Sequence, residues 1–186
     1  MTTPITILAL SGSLRRQSFN TALARAAQAA AGPDVTVDVA TLHGIPLYDG
    51  DLEAAEGVPA AVLALAEQIR SCDGLLLSTP EYNNGIPGVF KNGIDWLSRQ
   101  GVAGGKLFAG KPVAVIGASP GGFGTILAQN AWLPVLRTLG MSHWAGGRLM
   151  VSRAHQLMDA DGNLADEATQ KLLGEFVAGF AGFIRG

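Results

Sequence analysis

Two hydrophobic periods alternate along the chain. Short, almost continuous apolar runs are separated by longer segments whose apolar residues recur every three or four positions. Ile5–Leu10 (ITILAL) is nearly all apolar, as a strand covered on both faces must be. Val35–Ala40 (VTVDVA) alternates valine with polar residues and reads as a half-exposed strand nearer an edge. Gly74–Ser78 (GLLLS) and Pro112–Ala118 (PVAVIGA) are two more buried-strand runs, and Gly146–Ser152 (GGRLMVS) is a weaker fifth.

The intervening stretches carry helical stripes. Phe19, Leu23, Ala26, Ala27 and Ala30 share one face, and Val58, Val62, Leu65 and Ile69 a second, with Pro59 suited to a first turn. Ile86, Phe90, Ile94 and Leu97 make a third, and Ile126 to Leu139 a fourth, where Pro134 is expected to kink or split the helix. A last helix opens near Asp166–Glu167 and is expected to bury Leu172, Leu173, Phe176, Val177, Phe180 and Phe183. Tyr48–Pro59 reads as a long polar loop. The order βαβαβαβαβα predicts an α/β fold: a doubly wound parallel sheet of five strands with helices on both faces, in the flavodoxin-like order 2-1-3-4-5. The 186 residues suit one domain, 1–186.

Composition narrows the function. The chain is 48% apolar and 15% charged, which fits a buried core and argues against disorder. A net charge of −2 gives no electrostatic footprint for nucleic acid. No apolar run approaches the ~18 residues of a membrane span. The first residues lack a basic leader, so a cytoplasmic location is expected. Cys72 stands alone and reads as a small buried hydrophobe. His43, His143 and His155 lack metal-ligand spacing and read as surface or hydrogen-bonded histidines. Asp159, Asp161 and Asn163 resemble the start of a Ca²⁺ loop, but its twelfth position is Gln170, so the segment reads as a turn.

In a sheet of this order, ligands bind beyond the carboxyl ends of the strands, between the first and third. Three loops leave those ends. Ser11–Asn20 (SGSLRRQSFN) joins a strand to a helix and offers hydroxyls, Asn20, Arg15 and Arg16: many short donors and cations with little bulk, as a monophosphate requires, or a Ser/Asn-capped helix start with solvated arginines. It matches neither G-x-G-x-x-G nor the P-loop. Thr79–Gly85 (TPEYNNG) suits the polar edge of a flat heterocycle, or a simple turn. Gly117–Thr125 (GASPGGFGT) permits close approach, with Ser119 as donor, or is a flexible helix entry.

Three segments together, GSLRRQSFN, PEYNNGIPGVFKNGIDWLSR and KPVAVIGASPGG, resemble the NADPH-dependent FMN reductases, a flavodoxin-like family of quinone, chromate and azo-dye reductases. The likeness continues nearly to the end of the chain. It implies bound FMN, with phosphate on Ser11, Ser13, Arg15, Ser18 and Asn20 beside Phe19. The ring would lie along Pro80, Glu81, Tyr82 and Asn83, with Ser119, Gly121 and Gly122 opposite. NADPH or NADH would reduce the flavin, and a quinone or other small electron acceptor would reoxidise it, in a ping-pong cycle without a catalytic side chain. Backbone N–H groups near Asn83 and Ser119–Gly122 would stabilise charge on the ring. The resemblance also implies a homodimer or homotetramer, with Phe90 and Trp96 as candidate interface anchors. Many relatives have an aromatic residue at the place of Asn84 and an arginine at that of Leu127. The alternatives are a flavodoxin-like electron carrier, a reductase that releases its flavin to a monooxygenase, and a nucleotide-binding domain without flavin.

Overall fold

A computed structural model describes residues 3–99 and 106–186. A parallel sheet forms its centre, with β1 (Ile5–Ser11), β2 (Val35–Ala40), β3 (Gly74–Ser78) and β4 (Pro112–Ala118) in the order β2-β1-β3-β4. Beside β4 lie two short strands, β5 (Ser142–His143) against Pro112–Val113 and β6 (Leu149–Val151) against Ile116–Ala118. The predicted 2-1-3-4-5 order holds, but its fifth place is shared by two strands. The cause lies in residues 144–148. The Trp144 N–H still bonds the Val113 carbonyl of β4 at 2.9 Å, while its ring meets Phe176 edge-on at 4.8 Å. Gly146 and Gly147 lie so close to the indole that a Cβ on either would strike it.

Alternation along each strand sends side chains to two separate cores, one on each face. On one face Leu8, Leu10, Leu75, Leu77, Val113 and Val115 meet α3 (Ala60–Ser71), α4 (Gly88–Ser98) and α5 (Ile126–Thr138). On the other, Ile5, Ile7, Ala9, Leu76, Ala114 and Ile116 meet α1 (Phe19–Ala29) and α6 (Glu167–Arg185). Strands covered on both sides must read as continuous apolar runs, which is why β1 and β3 were plain in the sequence. β2 is the edge strand, and its Thr36 and Asp38 are exposed.

Four details differ from expectation. The predicted polar loop contains a helix, α2 (Gly50–Glu56), capped by the Asp49 carboxylate on the N–H groups of Asp51 and Leu52. It buries no residue, so no apolar stripe betrayed it. α5 runs through Pro134 as one helix, so of the expected kink or split the split does not occur. In α6, Leu172 and Phe183 are exposed, and the buried face is Leu173, Phe176, Val177, Phe180 and Ala181. Most consequentially, Phe90 and Trp96 are not interface anchors. Both are fully buried within this chain. Phe90 packs edge-on against Trp132 at 4.8 Å, and Trp96 donates its indole N–H to the Pro46 carbonyl at 2.9 Å.

Asp159–Asn163 is a turn, as read. The Asp159 carboxylate accepts from the N–H of Asp161 and Asn163, and the Asn163 N–H holds its pKa below the usual carboxylate range. Cys72 is buried, and burial pushes its thiol pKa up, the condition of an unreactive cysteine. Among the described residues no helix is long and apolar enough to cross a membrane. Because Phe90 fastens α4 to the sheet, Phe90→Ala is expected to cost about 3–5 kcal/mol, read from the denaturant midpoint.

Candidate active site

Eight polar side chains are buried among the described residues, and all eight lie at one end of the sheet: Ser11, Ser13, Ser18, Asn20, Thr21, Ser78, Thr79 and Thr125. They sit at the exits of β1 and β3 and the entries of α1 and α5. Burying a hydroxyl or amide costs free energy unless it is hydrogen-bonded, so a concentration of this kind has to be a connected network.

Asn20 is its hub. Its carboxamide donates to the Ala118 carbonyl and accepts from the Ala118 N–H, both at 2.9 Å. The Ser78 hydroxyl donates to the Asn20 carbonyl at 2.9 Å. Ser11 and Thr21 pair hydroxyl to hydroxyl at 2.8 Å. Thr79 receives the Trp132 indole N–H at 3.1 Å and donates to the Pro80 carbonyl at 2.8 Å. The exits of β1, β3 and β4 are thereby tied to one another and to α1 and α5. Ser11 and Asn20, expected as phosphate contacts, already have partners here. They build the floor beneath the loop.

Above that floor lies a cleft of about 250 Å³. Ser13, Arg15, Ser18 and Phe19 line one end, with Asn20 beneath; Pro80, Glu81 and Tyr82 line a wall; Ala118, Ser119 and Pro120 line the other. The structure thus gathers nine of the expected site residues around one cavity, and adds Ala118 and Pro120, which carry no side-chain chemistry to reveal them. Ser11, Asn83, Gly121 and Gly122 stand outside the lining.

The end of the cleft lined by Ser13, Arg15 and Ser18 has free donor capacity. Ser18 caps α1 by accepting the N–H groups of Asn20 and Thr21, each at 3.2 Å, and its own hydroxyl proton remains to donate. Ser13 accepts the Arg15 N–H at 3.2 Å and keeps its proton likewise. The Arg15 guanidinium lies over the Phe19 ring, 5.3 Å from its centre. No acidic side chain stands in the first turn of α1. Hydroxyl donors, a cation and a positive helix end suit a phosphate dianion.

The second loop explains its own polarity. Tyr82 and Gly85 exchange backbone hydrogen bonds across Asn83 and Asn84, whose φ angles are 51° and 62°. Two consecutive positive φ values define a type I′ turn, a conformation asparagine tolerates better than other side-chain-bearing residues. The two carboxamides are there for the turn, and both are exposed. Glu81 points the other way. Its carboxylate accepts the N–H groups of Leu127 and Ala128 at 2.8 and 3.0 Å, capping α5 from a different loop. α5 lacks a side-chain cap of its own and has no acid in its first turn, so Glu81 supplies the negative charge its N-terminus favours.

The third loop is fastened at its base. Ser119 gives its backbone N–H to Val151 at 3.0 Å and its hydroxyl to Gly124 at 2.5 Å, so neither donor is free for a ring. The Gly121 carbonyl accepts from Arg153 N–H. Gly117 lies under Thr125 and against the Thr79 carbonyl, where a Cβ has no room. Of the histidines, His143 is partly buried, and burial lowers its pKa. Among the described residues no cluster of metal-ligating side chains exists.

A doubly wound sheet with a polar cleft at its β1/β3 switch point defines a flavodoxin-like nucleotide- or flavin-binding protein. Residues 5–156 match the model of the NADPH-dependent FMN reductase family, and the chain belongs to that family. It is 41% identical to an NAD(P)H-dependent FMN reductase of Pseudomonas aeruginosa, over 93% of this chain and 91% of the relative. It is 38% identical to a 2-hydroxy-1,4-benzoquinone reductase of a Burkholderia species, over 94% and 93%. Among solved structures it is similar to the flavoenzyme NAD(P)H:(acceptor) oxidoreductase of Paracoccus denitrificans, with a TM-score of 0.84, 36% identity and 97% of each chain covered.

Two substitutions test the site's framework. Glu81→Ala removes both cap bonds and is expected to cost about 1–2 kcal/mol. Gly117→Ala must displace backbone and is expected to cost about 3 kcal/mol or more, in the range of overpacking. Thermal unfolding of the purified variants checks both.

Proposed function

We propose that this chain is an FMN-dependent NAD(P)H oxidoreductase that reduces quinones and related small acceptors such as chromate, azo compounds or free flavin. The observation that carries the reading is the buried polar network at the carboxyl end of the sheet, with a donor-rich pocket above it. Bound FMN would supply the redox chemistry, hydride uptake from NAD(P)H and two-electron delivery to the acceptor.

The chain's own residues bind and orient. Ser13 and Ser18 offer hydroxyl protons to the phosphate, and Arg15 and the first amides of α1 offset its charge. Pro80 and Tyr82 form one side of the ring site and Pro120 the other. With the Ser119 N–H engaged, the N–H groups of Gly121 and Gly122, just outside the cleft lining, are the third loop's candidate donors toward the ring edge. No nucleophile or proton-transfer residue is needed. One cleft serves both substrates, so nicotinamide and acceptor alternate in it, the ping-pong order.

The reading takes residues 1–186 as one FMN-binding domain, working in the cytoplasm where pyridine nucleotides are abundant. It takes the protein as a homodimer, with a homotetramer as the larger form. Leu47, 82% exposed, and Tyr48, packed edge-on to Trp96, form the apolar surface beside α4 for the subunit contact. Net charge of −2 does not favour the electron-carrier alternative, which docks through a strongly acidic face.

Anaerobic stopped flow tests the activity. NAD(P)H is expected to bleach the bound-flavin absorbance within the turnover time, and a benzoquinone to restore it, with parallel double-reciprocal plots in steady state. Failure of either nicotinamide to bleach the flavin overturns the reading and points to a carrier.

A further inference from the structure

The phosphate loop is poorly tethered along its outer stretch. Among the described residues, the hydrogen bonds of residues 14–17 are few. The Arg15 N–H goes to Ser13, and the Arg15 guanidinium goes to the Gln17 carbonyl, both within the loop. The bond that comes from elsewhere in the fold is His43 Nε2 to the Leu14 carbonyl at 3.2 Å. A carbonyl only accepts, so Nε2 carries the proton. In neutral imidazole Nδ1 then accepts from the Thr41 hydroxyl, 3.0 Å away. The histidine is thus oriented by one partner to serve the other.

Its support is firm. His43 follows Leu42, which is 1% exposed and part of the core, just beyond the end of β2. The strand order places the exit of β2 beside the exit of β1, and this is what brings residue 43 to residue 14.

We propose that His43 is a positioning residue for the flavin phosphate: through the Leu14 carbonyl it holds the Ser13–Ser18 loop in its binding shape. The proposal rests on the reading of that loop as the phosphate site. A preformed loop spares the ligand the entropy of ordering it, and a loop released by loss of one neutral hydrogen bond loses affinity accordingly. The effect is confined to the end of the ligand that carries phosphate. Riboflavin, which shares the ring but has no phosphate, reports on everything else.

The test is titration of the flavin-free full-length chain with FMN and with riboflavin. His43→Ala is expected to raise the FMN Kd by roughly 3- to 10-fold and leave the riboflavin Kd unchanged. His43→Gln, whose Nε2 reaches the same carbonyl, is expected to restore FMN affinity. Equal loss for both ligands means a general structural role and overturns the proposal, as does an unmoved FMN Kd. Arg15→Ala, an exposed change in the loop itself, separates the two layers. If it lowers the preference for FMN over riboflavin while His43→Ala does not, the tether fails and the site stands. If neither variant alters that preference, the phosphate-site reading fails and the tether with it.

Discussion

The Asn20 carboxamide holds the Ala118 backbone by both its N–H and its C=O, and the site depends on that clamp. Asn20 lies in the first turn of α1, while Ala118 ends β4, ninety-eight residues later. Ser78, at the end of β3, closes the same network on the Asn20 carbonyl. Three strand ends and a helix start are therefore held by polar bonds in a place where apolar packing alone would leave no cleft. In such a setting each bond is strengthened by low dielectric, and each missing partner would be costly. A rigid floor of this kind lets the residues above it keep unspent donors.

The three loops divide the remaining work. The first offers donors: Ser13 and Ser18 use their oxygen lone pairs on the backbone and retain their protons. The second braces: its asparagines make a type I′ turn, and Glu81 reaches across to cap α5. The third is fastened through Ser119 to β6 and through Gly117 to the floor. Glu81 and Asn20 are thus similar devices. Each is a side chain that satisfies backbone groups of an element remote in sequence, Ala118 at the end of β4 for Asn20 and the first turn of α5 for Glu81.

The fold was largely legible because its physics is local. β1, β3 and β4 are buried on both faces and have to be apolar runs; the helices have one buried stripe and show its period. The errors fall where that link between burial and pattern breaks. α2 buries nothing and left no stripe. The fifth strand is interrupted because Trp144 packs on α6, a partner remote in sequence. Phe90 and Trp96 resembled surface anchors only because a stripe of apolar residues does not say what it faces. At the site, polar residues crowded after apolar runs marked all three loops. Their individual roles were not marked: Ser11 and Ser13 look alike in sequence, yet one is paired within the floor and the other lines the cleft.

Hydrophobic periodicity alone was enough for the alternation of strands and helices, and with it the order of the sheet and the end at which a ligand must sit. The chain also determined the family, through motifs whose hydroxyls and turn residues are needed wherever such loops occur. Tertiary structure decided which of those groups have protons left to give. That depends on partners such as Ala118 for Asn20 and Leu127 for Glu81, tens of residues away. It also decided that His43, unremarkable on the chain, reaches the loop of β1, because adjacency of strand exits is a property of the sheet and not of the sequence.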